Sequence, residues 1–215
     1  PICICCGIPF ATVDGISHLC GKCAAKHPPF ESARCAVVYE GAVRDLVHRL
    51  KYDGRVQCRR PLALLLAERL ACFVGEVAPD LIIPVPLHAR RMRQRGFNQS
   101  ILIGELLARE WQLPFARSLL RRVRWTEPQV NLAAAERDAN VRGAFALSHP
   151  ERVKGLRVLL VDDVLTTGST VSECSRVLIK AGAAAVHVAT VARVPAEGCC
   201  MGNRADWTCK RTNFC

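Results

Sequence analysis

The sequence predicts an α/β fold: a mostly parallel sheet flanked by helices, preceded by a small four-cysteine module. Three observations lead there. Short apolar runs alternate with amphipathic stretches across residues 31–195. One run, "VLLV", ends in Asp162 and Asp163 and turns at once into Thr166-Thr167-Gly168-Ser169-Thr170. Two Cys-x-x-Cys pairs, Cys3/Cys6 and Cys20/Cys23, lie ahead of the first run.

Residues 1–30 lack periodic apolar patterning and are too few to fold on a core of their own. "KHPPF" reads as the exit linker. "CAVVYEG" predicts a short strand ending at Gly41. In "AVRDLVHRLK", Val43, Leu46, Val47 and Leu50 share one helical face. "RPLALLLAERLACFV" reads as one helix with Pro61 in its first turn, gathering Leu62, Leu65, Leu66, Leu70 and Phe73. "DLIIPVP" is a buried strand stopped by prolines. "NQSILIGELLAREW" is helical, and "RGAFALS" suggests a strand. "RVLLVDDV" is the kind of apolar strand buried on both faces of a parallel sheet. "TVSECSRVLIKAG" is a helix stopped by Gly182, and "AAVHVATVARV" is the last buried strand. Residues 196–215 lose the periodicity and read as an irregular Cys-containing tail.

With 215 residues there is room for one α/β domain and a small module. No apolar run reaches the length of about 18 residues that spans a membrane. The start, "PICICCGIPF", has no basic segment of a secretory signal. It also has no initiator Met, so the sequence is expected to begin inside a longer product. The formal charge is +11, mostly from arginine, whose planar fork suits phosphate. That fits nucleic acid, a phosphorylated metabolite, or a merely solvated basic surface. Thirteen cysteines are not spread like a disulfide framework: five fall in the first 23 residues and four in the last 17. Paired Cys-x-x-Cys spacing points to metal binding in a reducing, cytoplasmic setting.

The strand-to-loop unit has a physical reading. A buried parallel strand ends at the sheet edge where ligands bind in open α/β sheets. Asp162 and Asp163 would stand there. Residues 166–170 would form a loop and the first turn of a helix, whose free N–H groups and hydroxyls cradle an anion. A sugar phosphate suits both ends: its phosphate enters the cradle, and the acids accept hydrogen bonds from its hydroxyls. Two other readings compete. A Walker B strand would need a Walker A loop, and "GISHLCGK" has the wrong spacing and is followed by Cys23. Threonines that merely cap a helix would leave two adjacent edge aspartates without a partner.

The stretch from Val158 to Thr170 resembles the PRPP-binding motif of type I phosphoribosyltransferases at every position. The resemblance implies that Asp162 and Asp163 bind the ribose hydroxyls and Mg²⁺-bound diphosphate, while Thr166, Thr167, Gly168, Ser169 and Thr170 hold the 5-phosphate. Further stretches follow in order: "CGIPF…HLCGKC", "LKYDGR", "IIPVPLHARRMRQRGFNQS" and "RWTEPQVNLAAAERDANVRGAF". Together they resemble the ComF family of competence-type phosphoribosyltransferase-like proteins over roughly residues 3–193. The tail after Val194 matches nothing in that pattern.

"PVPLHARRMRQRGFNQS" matches in position the loop that receives diphosphate in these enzymes. Arg90, Arg91 and Arg95 would neutralise that leaving group with Mg²⁺, Arg93 lying beside them. The same cluster could grip a nucleic-acid backbone or lie solvated on a helix. "LRRVRWTEPQVNLAAAERDANVRGAF" would include a loop that closes over the site, with Arg121, Arg122, Arg124, Trp125 and Gln129 as candidates and Arg124 placed with the catalytic group. Trp125 could instead stack on a base or cover an apolar edge. Cys3, Cys6, Cys20 and Cys23 suit a closed tetrahedral structural Zn²⁺ site, the zinc ribbon that the resemblance implies. Cys5 and His18 are alternative ligands. Cys199, Cys200, Cys209 and Cys215 lack the paired spacing and read as reduced thiols.

Two functions follow. One is an enzyme that binds PRPP and Mg²⁺, expels diphosphate and attaches a nitrogenous acceptor to the ribose. The other, implied by the family, is an accessory protein of DNA uptake that holds single-stranded DNA beside a helicase-like partner, its phosphoribosyl pocket vestigial or regulatory. A third reading senses PRPP without turnover.

Overall fold

A computed structural model describes residues 1–10, 15–125 and 139–195. Strand and helix alternate along it as the apolar patterning predicts. The elements are α1 (Gly21–Ala25), β1 (Ser32–Val38), α2 (Gly41–Tyr52), α3 (Arg59–Arg69), α4 (Ala71–Val77), β2 (Leu81–Pro84), α5 (Ala89–Arg95), α6 (Gln99–Glu110), β3 (Leu120–Arg122), β4 (Phe145–Leu147), β5 (Arg157–Leu165), α7 (Ser169–Lys180) and β6 (Ala185–Arg193).

The apolar runs pair in the order β1-β6-β5-β2, and every neighbouring pair is parallel. Side chains alternate across the central strand β5. Val158 and Leu160 enter one core layer with Phe145, Val171 and Leu178. Leu159 and Val161 enter the other with Val47, Leu66 and Ile103. Helices therefore cover both faces, which is why the strand reads as continuously apolar. Both sheet edges are blunted, which guards against edge-to-edge pairing. At β2, Ile82 donates to the Pro114 carbonyl and accepts from the Ala116 amide, both at 2.9 Å. At β1, the Ala33 amide donates to the Cys5 carbonyl at 2.7 Å.

One expectation needs correction. "RPLALLLAERLACFV" forms two helices, because Leu70 leaves helical geometry at φ −108°, ψ 12°. The strand expected in "RGAFALS" is present as β4, which pairs antiparallel with β3 in a separate two-stranded sheet.

The N-terminal residues lean on this scaffold. Cys3, Cys5 and Cys23 belong to the same buried cluster as Leu160 and Val188. Arg193, at the end of β6, donates to the Cys6 carbonyl at 2.6 Å. Gly7 adopts φ +69°, and a Cβ there would collide with the Ala33 carbonyl oxygen. Only glycine lets the chain pass this close to β1. The expected tail cysteines and Gln129 lie outside the described residues.

Candidate functional site

β5 carries its buried run to the carboxyl edge of the sheet, where Asp162 and Asp163 follow Val161 on opposite faces of the strand. Gln99 and Ser100, which open α6, meet them, and Asn98 before them holds the turn. Asn98 caps the helix, its Oδ1 accepting from the Ser100 amide at 2.9 Å, and its Nδ2 donates to the Val85 carbonyl at 3.0 Å. Gln99 Nε2 donates to Asp163 Oδ2 at 2.7 Å. Ser100 Oγ donates to Asp162 Oδ1 at 2.9 Å. All three are buried polar residues, held because each has a partner. Asn98→Ala is expected to lower stability by about 1–2 kcal/mol, since it removes a cap and strands the Val85 carbonyl. Thermal melting checks this; an unchanged midpoint would mean that the cap is dispensable.

Lys51, in the last turn of α2, completes the group. Its Nζ lies 2.8 Å from Asp163 Oδ1. Burial works against the Lys51 ammonium, but the Asp163 carboxylate beside it outweighs this and raises its pKa. Asp162 is different. Burial first, and then the negative charge of Asp163, push its carboxyl up to about 7. Lys51 and the Ser100 hydrogen bond oppose that rise.

Past the acids, Gly168 takes φ +86° and starts α7 with no side-chain cap. The helix N-terminus thus carries its positive end beside the carboxylates. The Thr167 and Ser169 hydroxyls hydrogen-bond each other at 2.8 Å. Asp162, Asp163, Thr166, Gly168 and Thr170 line one cleft of about 700 Å³. Arg91, Arg95, Arg122 and Lys51 also line it. Four cations therefore face two acids there, a surplus that favours an anionic ligand.

The other expected residues sit elsewhere. Arg90 stacks over the Trp125 ring at 4.9 Å, and Arg93 is exposed. Arg124 donates to the carbonyls of Asn140 and Arg142 at 2.9 and 2.7 Å and does not line the cleft. Thr167 and Ser169 belong to the loop but not to the cleft lining. Lys51, Gln99 and Ser100 were missed as site residues. "LKYDGR" and "FNQS" contain them, but only their tertiary partners show what they do.

The Sγ atoms of Cys3, Cys6, Cys20 and Cys23 lie within 4.8 Å of one another. Those of Cys6 and Cys20 are 3.8 Å apart. Zn–S bonds of about 2.3 Å in a tetrahedron place sulfurs about 3.8 Å apart, so the spacing fits one ion. The Cys6 and Cys20 amides donate to Cys3 Sγ at 3.4 and 3.3 Å. Burial opposes the Cys3 thiolate, but hydrogen bonds from neighbouring residues bring it down to about 6. These four cysteines can hold a metal ion. Cys5 stands outside the group with its thiol toward the Phe30 carbonyl, and His18 stacks on Phe10.

The phosphoribosyl transferase domain family matches residues 101–199. The DNA utilization protein YhgH of Salmonella typhimurium is 39% identical over 190 residues, covering 87% of this chain and 82% of that protein. Competence protein F of Haemophilus influenzae is 34% identical over 192 residues, covering 87% of this chain and 84% of that protein. The chain belongs to the ComF family. As in the phosphoribosyl transferase domain that its second half matches, the ComF-family chain has a parallel sheet flanked by helices. A crystal structure of adenine phosphoribosyltransferase from Leishmania donovani is 19% identical, covering 74% of this chain and 71% of that one at a TM-score of 0.43. No helix among the described residues is long and apolar enough to cross a membrane.

Proposed function

We propose that this ComF-family chain binds PRPP with Mg²⁺ in the cleft at the end of β5 and transfers the phosphoribosyl group to a nitrogenous acceptor, releasing diphosphate. One observation carries the reading: an acid pair, the small-residue loop that starts α7, and two arginines of α5 line the same cleft. Its volume of about 700 Å³ suits a phosphorylated sugar. Thr166, Gly168 and Thr170 would hold the 5-phosphate. Asp162 would accept from the ribose hydroxyls. Arg91 and Arg95 would take up charge on the departing diphosphate. Mg²⁺, held by Asp162 together with the diphosphate, would supply further neutralisation. With charge placed in advance, the glycosidic carbon can lose its leaving group through an oxocarbenium-like state without a proton base on either aspartate. Arg124, turned toward backbone carbonyls, is left without a catalytic role.

The four-cysteine cluster fits a structural Zn²⁺: four thiolates close the tetrahedron and leave no open position. Reduced thiolates in such a site agree with a cytoplasmic protein.

Calorimetry with PRPP and Mg²⁺, followed by assay of diphosphate release across nitrogenous acceptors, tests the reading. Saturable binding is expected, weakened at least about tenfold by Asp162→Asn, since a charged hydrogen-bond acceptor is lost. No binding, or binding indifferent to that change, overturns it.

A second reading is favoured by the charge of +11 and by Arg90 and Arg91 lying over the Trp125 ring at 4.9 and 5.7 Å. A basic surface interleaved with an aromatic ring suits single-stranded DNA, and the relatives' names speak of DNA utilization and competence. On this reading the chain serves DNA uptake, beside a helicase-like partner, whether or not transfer is retained. A salt-dependent shift with single-stranded DNA that survives Asp162→Ala would support it.

A further inference from the structure

The two acids of the cleft are not equivalent. Asp163 is spent on protein partners: Lys51 at 2.8 Å occupies one oxygen and Gln99 at 2.7 Å the other. Its side chain is 7% exposed, whereas that of Lys51 is 18% exposed. Both residues line the cleft, and the Lys51 side chain is the more accessible of the two. Among the described residues, Asp162 is tied to Ser100 and to the Asp163 amide, both through Oδ1.

We propose that Lys51 is a direct contact for a phosphate oxygen of the ligand, and that Asp163 acts as a positioning residue that holds the ammonium at the cleft wall. This assignment rests on the phosphoribosyl reading of the cleft. It departs from the expectation that both acids address the ribose.

Three features support it. An ammonium is a compact charge with three donors on a flexible stem. The Asp163 carboxylate engages it from one side and leaves donors for a second anion. Arg95 closes the same corner: its guanidinium lies 5.5 Å from the centre of the Tyr52 ring, next in sequence to Lys51, and it feels the Asp163 charge. Lys51 and Arg95 therefore flank Asp163, and both line the cleft. A buried ion pair is a poor source of stability. A pair whose cation reaches a cleft has a functional use for the cost of burial.

The decisive measurement is calorimetry of the metal-loaded full chain with inorganic diphosphate, ribose 5-phosphate and PRPP, each with Mg²⁺. Lys51→Met alone strands a buried carboxylate and could unfold the chain. The informative variant is therefore Lys51→Met with Asp163→Asn, which keeps an acceptor for Gln99 and removes both charges. Lys51→Arg is the conservative control. The double variant is expected to weaken PRPP about 10- to 100-fold, as loss of one charge-assisted bond predicts. Lys51→Arg should retain most of the affinity. A parallel loss for diphosphate alone assigns the contact to the leaving group. A parallel loss for ribose 5-phosphate alone assigns it to the 5-phosphate. Asp163→Asn by itself should weaken PRPP less than the double variant does, because Lys51 remains. If the folded double variant binds all three probes like the wild type, Lys51 is only a structural partner and the proposal fails. If the wild type binds none of them, the phosphoribosyl reading fails first and takes this assignment with it.

Discussion

Stripping the metal from the four-cysteine module, or replacing Cys20 by serine, is expected to detach residues 1–25 and destabilise the sheet they rest on. The module has no independent core: Cys3, Cys5 and Cys23 lie in the cluster that contains Leu160, Val188 and Leu165. Without an ion, the four sulfur atoms stand within 4.8 Å of one another with no cation bridging them. Structural Zn²⁺ sites supply folding free energy of about 10–16 kcal/mol in isolated fingers. Part of that would be lost here, because β6 still presses Arg193 against Cys6. The loss uncovers the β1 edge, where the Ala33 amide gives up its Cys5 acceptor. Measured with a colorimetric chelator, one metal per chain should be released. The thermal midpoint should fall by more than about 10 °C, and aggregation should follow from the open strand. A chain that holds no metal, or melts unchanged after chelation, would remove the ion from the account of stability.

The same module shows what can be read from sequence and what cannot. Paired thiols at Cys-x-x-Cys spacing are a local pattern, because each pair sits on one turn, and the fold brings the two pairs together as expected. The parallel sheet was legible for a related reason: "LIIP", "VLLV" and "AVHVATVA" are too apolar to face water on either side. The acid pair and its loop follow directly from where β5 ends. Lys51 was not legible. Its partner Asp163 is more than a hundred residues away, and nothing in "LKYDGR" separates it from a solvated lysine at the end of an amphipathic helix. Gln99 and Ser100 were hidden by their neighbour: after Asn98 they read as the ordinary first turn of a capped helix. Arg124 illustrates the converse. Its place in an arginine-rich stretch suggested catalysis, but its guanidinium donates to two backbone carbonyls and does not line the cleft. Composition says how many arginines there are; only packing says which of them face the cleft.

Asp162→Asn is expected to make the ligand-free chain more stable at pH 8 and to leave it little changed near pH 4. The carboxyl of Asp162 is pushed up to about 7 from an ordinary value of 3.8, by burial and then by the charge of Asp163. The folded state therefore keeps a proton that the unfolded chain gives up at lower pH. Between about pH 4 and 7 the unfolded state binds fewer protons, so this group subtracts stability as pH rises through that window; above about 7 the penalty is complete. The full effect is on the order of 2 kcal/mol once allowance is made for coupling to Asp163 and Lys51. Asparagine retains an oxygen for the Ser100 hydroxyl and the Asp163 amide, both of which use Oδ1. It removes the charge that the site carries at a cost. Urea melts of both proteins, metal-loaded and at pH 5 and pH 8, read the difference directly, because the titrating groups away from Asp162 are common to the two and cancel, leaving Asp162 with the two groups that feel its charge, Asp163 and Lys51. Converging curves at low pH and diverging ones at high pH are the expected result; parallel curves would mean that Asp162 ionises as freely as an exposed acid. An aspartate kept where its charge destabilises the empty protein is understandable if a ligand or cation repays the strain. The same substitution should then gain stability in the empty chain and lose affinity for PRPP with Mg²⁺. A variant that moved both quantities in the same direction would mean that Asp162 serves the fold rather than the cleft.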